Sequence, residues 1–157
     1  MILETDIGPI TLGYKGENLI CEFGKYKTDH EPSKKLARDF KQYFVGKFTH
    51  QFDVPIPEGT PFMQNCWAAC RNIPYGETRT YGELAKAAGS LKGARAAGQA
   101  MRHNPLPIIT PCHRVIATSG KLHGFAGKTD LKRQGVEDQT VPPSIRTHNY
   151  HACIMTI

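Results

Sequence analysis

The chain has 157 residues, 39% hydrophobic and 22% charged, enough for a real core and unlike a disordered or fibrous protein. No apolar run approaches the ~20 residues of a membrane span, and Glu4 and Asp6 stand where a secretory leader carries positive charge. Five cysteines without framework spacing read as reduced thiols, so the expected compartment is the cytoplasm, or the nucleus in a eukaryote.

In chain order, residues 1–23 alternate as two strands around a turn at Lys15-Gly16-Glu17-Asn18, a hairpin. Pro32 opens a helical stretch with Leu36, Phe40 and Phe44 at helical spacing until Gly46. Residues 48–59, with Pro55 and Pro57, read as an extended connection and place a domain boundary at 57/58. Thr60-Pro61 is a helix start, followed by Phe62, Cys66, Trp67 and Cys70 at helical spacing. Thr80-Tyr81-Gly82-Glu83 fits a capping box before a helix that stops at Gly89. A second helix runs from Ala94 to about His103, where Asn104-Pro105 ends it. Two short helices around a glycine-bearing turn outline a helix-turn-helix. The fold class is therefore α+β: a small N-terminal α/β domain (1–57) with a hairpin or sheet and a helix, then a mostly helical domain (58–139), then a tail (140–157) that matches no known pattern and reads as disordered.

Charge divides along the same lines. Residues 71–133 carry 11 Lys/Arg against 3 Asp/Glu, whereas 1–70 and 134–157 each have net charge −1. The basic segment suits a polyanion, with Arg71, Arg79, Lys86, Lys92, Arg95, Arg102, Arg114, Lys121 and Lys128 available to phosphates, or simply a solvated basic surface. The second helix surrounds Arg95, Gln99 and Arg102 with Ala94, Ala96, Ala97, Gly98 and Ala100. A helix is about 10–12 Å across and the B-DNA minor groove about 6 Å wide, so only a helix reduced to small side chains presses into it. Tight helix packing asks for the same residues.

Pro107-Ile108-Ile109-Thr110 reads as a short buried extended segment delivering Pro111-Cys112-His113-Arg114-Val115. A thiol is a nucleophile only as thiolate. An imidazole that takes its proton, through a bridging water given that His113 is adjacent, and the positive field of Arg114 supply what Cys112 lacks. Most buried cysteines, however, are small apolar fillers.

The surrounding residues resemble the O6-alkylguanine-DNA alkyltransferases. They are Gly59-Thr60-Pro61-Phe62, Ile73-Pro74-Tyr75-Gly76-Glu77-Thr78, Tyr81-Gly82-Glu83-Leu84-Ala85, Ala94-Arg95-Ala96, Asn104-Pro105, Pro111-Cys112-His113-Arg114-Val115 and Gly124-Phe125-Ala126-Gly127. The resemblance runs without a gap from Gly59 to Gly127. It implies direct transfer of an alkyl group from O6 of guanine, less readily O4 of thymine, to the protein's own cysteine, once per molecule and without a cofactor. It implies Cys112 as acceptor, His113 as its base through water, and Asn104 as the hinge tying two active-site segments together. It further implies Arg95 as the finger entering the base stack and Tyr81 as the residue that crowds the target phosphate. On the same resemblance, Ala94, Ala96, Gly98 and Arg102 are expected on the DNA-facing helix, and Met101, Val115, Phe125 and Ala126 are expected to line the base pocket. The implied partner is double-stranded DNA carrying O6-alkylguanine, held from the minor groove by a monomer, with no membrane partner.

The end departs from the family pattern. Gly127 is followed by Lys128, and a gapless carry-over puts Gln139 where a glutamate normally orients the histidine; a two-residue slip offers Glu137. Glutamine hydrogen-bonds an imidazole but does not electrostatically stabilise an imidazolium. Cys66 and Cys70 read as core packing. Cys21 and His30 are too few donors for the structural zinc some relatives carry, so no metal is expected. Two other readings stand beside the enzyme: a lesion-binding relative that flags alkylated DNA without repairing it, whose usual tryptophan Cys112 replaces, and a sequence-specific helix-turn-helix regulator.

Overall fold

The computed structural model describes residues 1–5 and 8–117. The N-terminal sheet has three antiparallel strands in sequence order, β1 (Ile2–Thr5), β2 (Gly8–Lys15) and β3 (Asn18–Phe23). The expected hairpin is β2–β3: Lys15 pairs with Asn18 across a two-residue loop in which Gly16 takes φ +57°, the left-handed conformation such tight loops demand. The reading of two strands over residues 1–23 is corrected to three, because Ile2 pairs with Thr11 and Thr5 with Gly8. A strand of four residues is too short an alternation to separate β1 from β2 in the sequence.

Both faces of the middle strand are covered. Ile10 and Leu12 point into a core with Cys21, Phe23, Leu36, Phe40, Tyr43 and Phe52. On the other face the Thr11 hydroxyl donates to Gly24 O at 2.7 Å and accepts from Tyr26 N. Gly13 admits no side chain there, since a Cβ would stand 2.6 Å from the Thr28 methyl. Helix α1 (Lys34–Phe44) begins where the Ser33 hydroxyl accepts from Leu36 N, and lays Leu36, Phe40 and Tyr43 on the sheet.

Helix α2 (Pro61–Arg71) starts as anticipated, with Thr60 capping Met63 N and proline in the first turn. The expected capping box opens α3 (Tyr81–Ala87): Glu83 N–H donates to the Thr80 hydroxyl, and the Glu83 carboxylate accepts from Thr80 N at 2.7 Å. Helix α4 (Ala94–Arg102) follows the turn at Gly89, which takes φ +94°. The three helices enclose a second core of Cys66, Trp67, Cys70, Ile73, Leu84, Ala85, Ala88, Ala97, Ala100 and Met101. The Trp67 indole donates to Ala100 O at 2.8 Å, fixing α2 to α4. Among the described residues no helix is long and apolar enough to cross a membrane.

Candidate active site

The segment after α4 joins the two cores. Leu106, Ile108 and Ile109 are buried in the sheet core, whereas Cys112 and Val115 belong to the helical core. Ile109 in one core thus stands three positions before the thiol in the other. The expected extended run over residues 107–110 is corrected to a tight turn. Ile109 N donates to Pro107 O at 2.9 Å around Ile108, whose φ is +73°. A three-residue turn of this hand is rare and strained, and β-branched residues seldom adopt it. A second three-residue turn follows, of the common hand: Pro111 sits at φ −79°, ψ 65°, and Cys112 N donates to Thr110 O at 2.8 Å. Sequence alternation does not register such turns, because apolar residues and prolines occupy them as readily as they occupy a strand.

Cys112 opens a one-turn 3-10 helix, Cys112–Arg114, that runs into β5 (Val115–Ile116). That strand pairs in parallel with β4 (Arg79–Thr80), Arg79 beside Val115 and Thr80 beside Ile116. The pairing fastens the Cys112 segment to the start of α3, where Tyr81 follows the ladder by one residue. Cys112 is 6% and His113 1% exposed. Met101 and Val115 are buried in the same cluster as Cys112.

Asn104 stands at the mouth of this segment, 2% exposed. Its amide donates to Thr110 O at 2.9 Å, and its carbonyl oxygen accepts from Leu106 N at 3.1 Å. One side chain therefore ties the end of α4 to both ends of the strained turn.

The helix-turn-helix shows a small-residue face. Ala94, Arg95, Ala96, Gln99 and Arg102 are exposed on α4, whereas Ala97, Ala100 and Met101 face inward. Gly98 is half-buried beside Tyr81, whose ring would lie 3.9 Å from a Cβ there. Lys86 and Lys92 are also exposed. Two of the arginines assigned to phosphates are not surface groups. Arg71 is buried, its guanidinium on Thr110 Oγ1, Val54 O and Pro55 O. Arg114 is buried too, donating to Ile73 O and lying over the Tyr75 ring at 5.3 Å. Both positions looked like free charge because sequence shows a basic residue but not the carbonyls that enclose it. Arg79 is partly engaged by Glu77 at 2.9 Å.

The other thiols fit a structural role. Burial pushes the Cys21 thiol far up, with the Glu22 charge adding to it, and burial raises Cys66 as well. Cys66 and Cys70 are fully buried beside Trp67, as the packing reading has it. Phe125, Ala126, Glu137, Gln139, Lys121 and Lys128 lie outside the described residues.

The sequence model described as 6-O-methylguanine DNA methyltransferase, DNA binding domain, matches residues 61–141. The methylated-DNA–protein-cysteine methyltransferase of Methanosarcina acetivorans is 43% identical over 143 residues, covering 83% of this chain and 91% of that one. The chain belongs to the methylated-DNA–protein-cysteine methyltransferase family. A protein of the same name from Mycobacterium tuberculosis is 40% identical over 147 residues, covering 86% of this chain and 88% of that protein. The structure of the Mycobacterium tuberculosis OGT in complex with DNA superposes with a TM-score of 0.72 at 38% identity, covering 92% of this chain and 95% of that one. Methyltransferase relatives therefore match the N-terminal sheet as well as the helical part, and the α+β architecture is theirs.

Proposed function

We propose that this protein repairs DNA by moving the methyl group of O6-methylguanine onto Cys112. The thiolate sulfur forms a bond to the methyl carbon as the carbon–O6 bond breaks. The electron pair of that bond passes to the base, which takes the proton the thiol gave up. The products are an S-methylcysteine and an unmodified guanine, so the transfer balances without a further reactant. A thioether is not hydrolysed under these conditions, and each molecule acts once.

The observation that carries this reading is the placement of Cys112. It sits where a strained loop anchored in one core enters the helical core, one short parallel ladder away from the helix-turn-helix. His113, beside it, takes the thiol proton through water, and Asn104 holds the loop. The O6 atom lies inside the duplex, so the base must leave the stack. Ala94 and Ala96 are exposed and Gly98 half-buried, so α4 carries little bulk beside Arg95 and can approach the minor groove. Arg95 fills the vacated space, for which a planar guanidinium is suited. Tyr81 presses on the phosphate, Arg102 and Lys92 hold the backbone, and Met101 and Val115 wall the base pocket with Phe125 and Ala126. Support for His113 comes from Glu137 or Gln139. The protein acts as a monomer on double-stranded DNA, in the cytoplasm or nucleus.

A lesion-binding protein without transfer activity is the weaker reading, since the acceptor position holds cysteine and the similar curated proteins carry the transferase name. The test is restoration of a duplex whose restriction site is blocked by one O6-methylguanine. Cleavage should return in proportion to protein added and stop at one site per molecule. Binding of the blocked duplex with no return of cleavage would overturn the proposal.

A further inference from the structure

The buried guanidinium of Arg71 is unaccounted for by DNA binding. It sits 6% exposed and, among the described residues, makes no ion pair within 4 Å; burial lowers its proton affinity. A buried charge held only by neutral acceptors is costly, so the contacts that keep it bear examination. Its Nε donates to Thr110 Oγ1 at 2.9 Å, and its terminal nitrogens donate to Val54 O and Pro55 O. One side chain thus joins the end of α2, the segment linking the two cores, and the acceptor loop.

Thr110 is the receiving end. Its N–H donates to Leu106 O at 2.8 Å, its carbonyl accepts from Cys112 N and from Asn104 Nδ2, and its hydroxyl accepts from Arg71. It is 0% exposed. It also stands between the two three-residue turns, one centred on strained Ile108 and the other on Pro111. A segment held in a sparsely populated conformation persists only where its surroundings over-determine it. Apolar burial of Ile108 and Ile109 fixes the first turn from the sheet side. On the helical side the fixing groups are Asn104 and Arg71, and among the described residues it is Arg71 that reaches the Thr110 side chain.

We infer that Arg71 and Thr110 form a positioning clamp that sets where the Cys112 sulfur lies relative to an incoming base. The inference rests on Cys112 being the acceptor. Neither residue touches DNA or the transferred group; they act through the backbone from Thr110 to Cys112. The effect should therefore fall on the transfer step and leave duplex binding alone.

Single-turnover methyl transfer from an O6-methylguanine duplex to the full chain reads both quantities. Thr110→Val keeps the side-chain shape and removes the acceptor. Its rate at saturating duplex should fall about tenfold to a hundredfold, the scale of misplacing a reacting atom. The duplex concentration for half-maximal rate should stay within about twofold of wild type. Thr110→Ser, which keeps the hydroxyl, should recover the rate to within about threefold. Arg71→Met combined with Thr110→Val should be little slower than Thr110→Val alone, because the two act as one unit. Arg71→Lys keeps the charge but loses the Nε contact; it should show the same slow transfer with unchanged half-saturation, and it tests the clamp if Thr110→Val fails to fold. Wild-type rates in Thr110→Val and in Arg71→Lys, a loss that Thr110→Ser does not recover, or a loss confined to half-saturation would each overturn the clamp. Absence of transfer in the wild-type chain would instead overturn the reading of Cys112, and the clamp with it.

Discussion

Replacing Asn104 by alanine tests how the acceptor loop is held. The substitution removes two buried hydrogen bonds of unequal consequence. Thr110 O keeps a partner, Cys112 N, and loses only one of two donors. Leu106 N–H, in a residue 3% exposed, loses the carbonyl oxygen it donates to. An orphaned buried donor costs about 1–3 kcal/mol and an ordinary lost hydrogen bond about 1, so the variant should lose roughly 2–4 kcal/mol. At about 2–4 °C per kcal/mol for a chain of this size, the melting temperature should fall by roughly 5–15 °C. Asn104→Asp keeps the acceptor for Leu106 N–H but sets a carboxylate oxygen against Thr110 O, so it should be destabilised as well. Circular-dichroism melts and single-turnover transfer on the same samples provide the assay. Transfer below the melting range should also slow, because the strained turn at Ile108 is freed to relax. An Asn104→Ala protein that melts within about 2 °C of wild type and transfers at the wild-type rate would refute this account of the loop.

Trp67→Phe removes the indole donor from Ala100 O in a site 2% exposed; it should cost about 1–3 kcal/mol in a denaturant titration, and unchanged stability would mean that α2 and α4 are held by packing alone. The hydrogen bonds from Thr80 to Glu83, with the Arg79 charge, hold that carboxyl below its ordinary value. The capping contribution is therefore complete above the unfolded value of about 4.3 and is lost as pH falls through the lower folded value. The difference in melting temperature between wild type and Glu83→Gln should shrink as pH is lowered through that range, and a difference constant with pH would contradict the assignment. Lys86, Lys92, Arg95 and Arg102 are the exposed basic groups of the described helix-turn-helix. With Arg95 in the base stack and the other three on phosphates, duplex affinity should fall with salt at a log–log slope of roughly −3. Arg102→Ala should reduce that slope by about 1, and a slope that stays put would remove Arg102 from the phosphate contacts.

The elements legible in the sequence were those announced by local chemistry. Thr60-Pro61 and the Thr80–Glu83 box mark helix starts through side-chain oxygens that meet the first amides, and no tertiary context is needed to see them. Gly16 and Gly89 mark turns through a conformation other residues avoid. Asn104 was singled out through family resemblance, and the structure adds the two backbone groups it touches. What stayed hidden depends on partners distant in sequence. The β4–β5 ladder joins residues 79–80 to 115–116 with only two residues per strand, too few for alternation to register. Arg71 reads as one more surface charge until Thr110, Val54 and Pro55 are seen around it. Ile108 carries no sign of its left-handed backbone, because its surroundings are a core whose buried members outside this loop lie far earlier in the chain, from Ile10 to Phe52.

The most direct test is the intact mass of the chain after incubation with a duplex carrying one O6-methylguanine. The account predicts one methyl group gained per molecule, found on the peptide containing Cys112, with the duplex base returned to guanine and no gain in Cys112→Ala. A methyl group on Cys21, Cys66, Cys70 or Cys153, or an unchanged mass in a protein that binds the duplex, would contradict it.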